Sequence, residues 1–289
     1  MRKRTKYKKI NATIFNKLGV LFDEKGWDME EESNDVSLFG RFCEVLNRLN
    51  VEQQEFLIDL TYHYQKIEFN EYNTLICNIL QKLNSEMKNF MNLTNLYVMP
   101  LLPEEDKNKI KSSTLVAYLF QTPQIKYMSD LSKKKFKVRS ELTKKELNKV
   151  NESPNSMLLL VDDFIGTGET AMAAYKYYRD MGIKHEKIVI ISLVSLYTGF
   201  NLVKENNIEI FSGKILKKAI SDYYSEDELK LKLSLMQSIE DIIGSHADYK
   251  LGYKGSEALV TLIRTPNNTF PVYWLTKKGN NAPFPRGDG

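Results

Sequence analysis

Asp162 and Asp163 stand side by side at the end of an apolar run, Met157, Leu158, Leu159, Leu160 and Val161, and just ahead of Gly166, Thr167, Gly168, Glu169 and Thr170. The apolar run reads as a buried strand. The Ala-rich pattern over 171–181 reads as an amphipathic helix closed by Gly182. A strand that ends in paired carboxylates, turns through a Gly/Thr loop and opens a helix has the parts needed to hold a phosphorylated sugar. The helix start presents backbone N–H groups without intrahelical acceptors, together with the positive end of the helix dipole. Gly166 and Gly168 permit close approach to an anion, and a positive φ where the turn requires one. Thr167 and Thr170 add hydroxyl donors, and Glu169 contributes its backbone N–H. The two carboxylates repel that same phosphate. They suit ribose hydroxyls, or a Mg²⁺ ion held indirectly beside the phosphate. Two plainer readings stand next to this one: a strand-to-helix turn with no ligand, and a phosphoryl-accepting Asp, which needs no Thr-Gly-x-Thr run after it. The chain contains neither G-x-x-x-x-G-K-[ST] nor G-x-G-x-x-G.

These residues resemble the phosphoribosyl-pyrophosphate (PRPP) motif of type I phosphoribosyltransferases, in which an apolar strand, two acidic residues and about three variable positions precede T-G-x-T. Asp162, Asp163, Thr167, Gly168 and Thr170 fill every defined position. The resemblance implies that Gly166, Thr167, Gly168, Glu169 and Thr170 bind the 5′-phosphate, and that Asp162 and Asp163 act catalytically by holding the ribose and, indirectly, Mg²⁺. It also implies a pyrophosphate loop after the first core strand and a mobile loop over the ligand. The first position holds Pro100-Leu101-Leu102-Pro103, which offers little anion chemistry. The basic segment 126–139 occupies the second, and reads equally as a solvated charge run. Lys111, Lys134 and Arg139 are the candidate pyrophosphate contacts. No base-binding hood is evident. His63, His185 and His246 read as surface or core residues.

The chain has 289 residues, 42% of them hydrophobic, with a net charge of +4. This is enough for one large domain or two ordinary ones with a real core, and the charge alone does not call for nucleic acid. Cys43 and Cys77 are too few for a disulfide framework or a metal knuckle, and read as buried thiols. No apolar run reaches membrane-spanning length and no signal-peptide core follows the basic stretch Arg2 to Lys9. A reduced cytoplasmic protein with no membrane partner is expected.

The periodicity predicts residues 1–36 as a basic then acidic arm, mobile in character. A helical layer follows over 37–92, with helices near 38–49, from 51, and over 71–91. The α/β domain spans 93–289. Strands are expected at 93–100, 157–163, 187–196 and 208–211, with helices after Pro103, over 171–181, near 199–206 and over 226–243. The stretch 113–120 is ambiguous between helix and strand, and 126–150 reads as an excursion. Residues 258–263 and 272–275 read as an antiparallel or edge pair. The alternation implies an α/β fold: a parallel sheet flanked by helices, of type I phosphoribosyltransferase-like form, with an N-terminal helical layer.

The C-terminal part sharpens the resemblance. Gly252-Tyr253, Ala258-Leu259-Val260, Thr265-Pro266-Asn267-Asn268-Thr269, Pro271, Trp274 and Phe284-Pro285-Arg286, with Lys111-Ser112-Ser113, are similar to phosphoribosyltransferase-like (PRTase-CE) proteins of bacterial conflict and retron anti-phage systems. Trp274 also reads as a core residue, and Arg286 as either a phosphate partner or a solvent-exposed side chain. The resemblance implies an effector that binds PRPP or a nucleotide with Mg²⁺ and acts on nucleotides or related glycosidic bonds. The alternatives are a non-catalytic PRPP or nucleotide sensor, and an interaction subunit of a reverse transcriptase with its DNA or RNA product and a companion winged-helix protein.

Overall fold

The computed structural model describes residues 10–29, 37–106, 108–128, 131–277 and 280–287. The basic stretch Arg2 to Lys9 and the acidic residues Glu30, Glu31 and Glu32 lie outside them. In chain order the elements are α1 (Ala12–Lys25), α2 (Leu38–Leu46), α3 (Val51–Thr61), β1 (Gln65–Lys66), α4 (Phe69–Glu86), β2 (Asn95–Pro100), α5 (Ser112–Leu119), α6 (Pro123–Lys126), β3 (Lys135–Val138), α7 (Lys144–Glu152), β4 (Ser156–Ile165), α8 (Glu169–Asp180), β5 (Ile188–Leu196), α9 (Tyr197–Glu205), β6 (Glu209–Leu216), α10 (Glu226–Ile243) and β7 (Val260–Thr261). Two compact units result. One comprises residues 68–217, and the other joins 1–67 to 218–289. These units cross the sequential boundaries at 36 and 92.

Residues 68–217 form the α/β unit. Its five strands are all parallel, in the order β3-β2-β4-β5-β6. Parallel strands are buried on both faces, which is why β4 and β5 read as unbroken apolar runs. Leu158, Leu160, Ile188 and Ile190 face one way, into a core shared with Val150 of α7, Ala171, Ala174 and Tyr178 of α8, and Val203 of α9. The opposite face carries α4 and α5. Gly213 of β6 admits α4 closely: a Cβ there would lie 3.2 Å from Leu75 Cδ2 and 3.5 Å from Ile79 Cδ1. So α4, expected in the helical layer, belongs to the sheet. The ambiguous stretch 113–120 is helical. The excursion at 126–150 contains the edge strand β3 and the helix α7, which begins with a capping box between Thr143 and Glu146. Among the described residues just after Pro103, a 3₁₀ turn forms, Glu104–Asp106, in place of the expected helix.

The second unit corrects two expectations. Residues 12–25 are not a mobile arm. They form α1, capped by the Asn11 side chain, with Ile14, Leu18, Leu21 and Phe22 buried. Phe22 packs edge-on against Phe39, Phe42 and Trp27. The antiparallel pair at 258–263 and 272–275 is also absent: Val260–Thr261 pairs in parallel with Gln65–Lys66, and Pro271–Tyr273 is a 3₁₀ turn. Pro266 and Pro271 interrupt this stretch and break the ladder a hairpin would need. Tyr64 stacks on Phe284 and lies against Tyr273, each with ring centroids 4.6 Å apart, so the two ends of the chain share one aromatic core. Trp274 is buried and donates from Nε1 to Thr269 O, 2.7 Å away, and Arg286 lies over its ring. The core reading of Trp274 holds. The cysteines are half-buried, and burial pushes the Cys43 thiol up to about 11. No helix among the described residues is long and apolar enough to cross a membrane.

Glu240 of α10 is fully buried and accepts from Leu251 N at 3.0 and 2.9 Å; burial raises its pKa to about 8. The folded chain therefore holds a proton that the unfolded chain releases near the ordinary Glu value. Stability from this group is complete below that value and is lost as pH rises through about 8. Glu240→Gln keeps an acceptor and carries no charge. Its Tm is expected to exceed that of the wild type at pH 8–9 and to converge with it near pH 4, as read by thermal melts across pH.

Candidate functional site

Ladder register explains why the carboxylates are at a sheet end. β2 stops at Pro100, which pairs with Val161, while β4 continues to Ile165. Asp162 and Asp163 therefore project past their neighbour on one side. Successive strand residues face opposite ways. Asp162 shares the parity of Leu158 and Leu160, and Asp163 turns to α5, where Ser112 Oγ donates to its Oδ1 at 2.6 Å. Asp163 N donates to Asp162 Oδ1 at 2.9 Å. Asp163 is only 5% exposed. Desolvation, then the charge of Asp163, holds the Asp162 carboxyl well above the usual range, and Lys111 opposes this. Desolvation also raises Asp163, against the Ser112 hydrogen bond. The pair thus favours a shared proton when nothing else neutralises it.

The loop after β4 is held by a contact that sequence reading missed. Gly168 adopts φ 87° and caps α8 without any side-chain hydrogen bond. An L side chain at Gly168 would be strained there. Gly199, in the first turn of α9, presses on the loop from outside: a Cβ on Gly199 would sit 2.3 Å from Gly166 O and 2.9 Å from Gly168 N. An isolated glycine within a helical pattern was the available signal. Gly166 does not use a positive φ. Thr167 is half-buried, whereas Glu169 and Thr170 are exposed. Around this rim Ser113 Oγ and Ser195 Oγ are buried without a hydrogen-bond partner; Ser195 lies beside Ile165 in the ladder.

Lys111 belongs to this cluster: it is the N-cap of α5, and its Nζ lies 3.2 Å from Asp106 Oδ2. Lys134 and Arg139 do not. Lys134 precedes β3, whose start pairs with Asn95 at the far end of the sheet, about 20 Å from Asp162 at the rise of an extended strand. Its Nζ is tied to the carbonyls of Phe90 and Leu93. Arg139 follows β3, two strands from β4, and its Nε donates to Glu146 Oε1 at 2.8 Å. The two cations flank the edge strand, one at each end, in a segment that the sequence reads as an excursion. Pro100, Leu101 and Pro103 are buried, so the segment after β2 is spent on packing. His185 is engaged with Tyr175, 2.6 Å away, before β5 begins.

No cluster of three or more metal-ligating side chains occurs among the described residues. The acidic pair fits Mg²⁺ only as an ion that brings further oxygen ligands from water and substrate, the usual habit of Mg²⁺.

A five-stranded parallel sheet with a DDxxxTGxT turn leading into α8 defines a type I phosphoribosyltransferase-like protein. The chain belongs to the PRTase-CE family, whose profile matches residues 54–286. Among solved structures it is similar to an orotate phosphoribosyltransferase from Aeropyrum pernix, with 13% identity over 61% of this chain and 77% of that one and a TM-score of 0.31. It is also similar to an APRTase from Giardia lamblia complexed with 9-deazaadenine, with 15% identity over 50% and 79% and a TM-score of 0.31. No curated protein matches the chain.

Two outcomes test this geometry. Asp162→Asn removes a charge the site desolvates, so at pH 8 it is expected to raise Tm by about 2–4 °C, the shift that roughly 1 kcal/mol produces in a unit of this size. The gain shrinks as pH falls toward the ordinary Asp value. Gly199→Ala is expected to displace the loop while leaving the far-ultraviolet circular dichroism unchanged, and to lower loop-dependent anion affinity at least tenfold in a calorimetric titration.

Proposed function

We propose that the α/β unit binds PRPP or a nucleotide with Mg²⁺, and that the chain is an effector of the bacterial anti-phage, retron-type setting that its sequence resembles. The observation that carries the binding reading is the desolvated acidic pair, Asp163 buried and Asp162 half-buried, beside an uncapped helix start, with Gly199 leaving room for nothing but backbone at the loop. Thr167, Gly168, Glu169 and Thr170 would hold the 5′-phosphate through first-turn N–H groups and hydroxyls. Asp162 and Asp163 would accept from the ribose hydroxyls, and Ser112 would keep Asp163 oriented. Mg²⁺ when bound would neutralise pyrophosphate charge. Glycosidic transfer or cleavage through an oxocarbenium-like state asks the protein for positioning and electrostatics more than for covalent chemistry. A non-catalytic sensor is a second reading, favoured by the buried Pro100, Leu101 and Pro103, which leave residues 100–103 without side-chain donors for pyrophosphate.

Calorimetry with PRPP, AMP, GMP and ATP in the presence of Mg²⁺ tests the site. Binding is expected for the wild type and is expected to fall more than a hundredfold in Asp162→Asn/Asp163→Asn. Because the carboxyls are raised, ligand uptake that requires both charges should release protons, and affinity should grow with pH. Repeating the titration in buffers of different ionisation enthalpy reads that release directly. Absence of binding for all four ligands would sink the proposal. Binding without product formation on overnight incubation would decide for the sensor.

A further inference from the structure

The open edge of the sheet carries a second feature, remote from the acidic pair. A groove of about 530 Å³ follows β3 and is lined by residues 134–139 together with Phe120, Gln121, Lys126 and Tyr127. That volume lies within the roughly 300–1,000 Å³ of small-molecule sites. Among the described residues that line it, the charge is one-sided. Lys126 and Lys135 are exposed, Lys137 lies over the Tyr97 ring, and Arg139 is exposed and paired only at the surface with Glu146. An exposed ion pair of that kind contributes little and opens readily to a better anion. Tyr127 is 74% exposed and Lys126 approaches its ring; Phe136 packs on Phe120 on one face of β3, while Lys135, Lys137 and Arg139 alternate to the other. Cations on either side of the edge strand, with an uncovered aromatic ring, suit a chain of phosphates bearing planar bases laid along that edge.

We infer that this groove binds single-stranded nucleic acid, with Lys126, Lys135 and Arg139 on phosphates and Tyr127 as a stacking platform. The competing occupant, an extended acidic peptide added as a sixth strand, finds little to hold. Lys135 N and Arg139 N already donate to β2, so only Phe136 and Val138 turn their backbone outward. Two residues give too few ladder bonds, and edge lysines oppose strand addition.

The test is fluorescence anisotropy with labelled dT12 and U12, against labelled hexaglutamate, on the full chain. Binding of the oligonucleotides should weaken with salt, with a log–log slope of about −2, as three phosphate contacts imply. Lys126→Glu/Lys135→Glu should abolish it. Tyr127→Ala should weaken it about tenfold, a stacking loss. These side chains are exposed, and circular dichroism checks that the variants fold. Asp162→Asn/Asp163→Asn should bind the oligonucleotides as the wild type does, which separates this groove from the ribose-phosphate site. The inference is overturned by three results: no oligonucleotide binding, binding that survives the double charge reversal, or hexaglutamate binding as tight as that of dT12.

Discussion

Two like charges held together at the end of a buried strand are the constraint around which the α/β unit is arranged. Asp162 and Asp163 both lose water and repel one another, so the unliganded fold keeps them at a cost. What keeps them is the ladder on one side and α5 on the other. β4 is fixed through Val161 by β2 and through Ile165 by β5, and Ser112 gives Asp163 a short hydrogen bond. The same overshoot of β4 past β2 aims the following loop so that α8 begins without a side-chain cap. A positive helix end and a negative carboxylate pair thus lie within a few residues of each other. This polarity matches a ligand that is anionic at one end and carries hydroxyls or a cation at the other.

Backbone contact, more than side-chain chemistry, shapes the loop. Gly168 supplies the left-handed turn, and Gly199 supplies the absence of a side chain where α9 meets the carbonyl of Gly166. The site is therefore built from three β-to-α connections, after the neighbouring strands β2, β4 and β5, at the carboxyl ends of the strands. Open parallel sheets place ligands there because the helix starts gather there.

Much of this was legible in the sequence because the relevant signals are local. An apolar run of strand length, an acidic pair and a Gly/Thr turn occupy consecutive residues, so β4, its loop and α8 could be placed without tertiary information. Lys111 could be placed only through the resemblance, since the stretch 113–120 that follows it reads equally as helix or strand. What escaped was set by long-range contact. β3 has four residues with lysines at alternate positions, a pattern no different from a charged loop until β2 is beside it. With β3 unrecognised, Lys134 and Arg139 could not be positioned. Gly199 carries no chemistry of its own, and its role exists only through Gly166. The aromatic residues near the chain end, Tyr273 and Phe284, resemble strand residues by type but serve as core for helices more than 200 positions earlier.

That last arrangement bears on how the protein is made. Tyr64 leaves the ribosome long before Tyr273 and Phe284, and at roughly 5–20 residues per second the wait is on the order of 10–45 s. During this interval α1, α2 and α3 expose Phe22, Trp27, Phe42 and Tyr64 without the rings that cover them, whereas residues 68–217 can close their own core. Synthesis therefore completes the middle of the molecule before its beginning. A chaperone that shields the nascent aromatic helices would act in that window, and premature termination soon after residue 217 would leave a finished sheet attached to an unfinished, adhesive N-terminal segment.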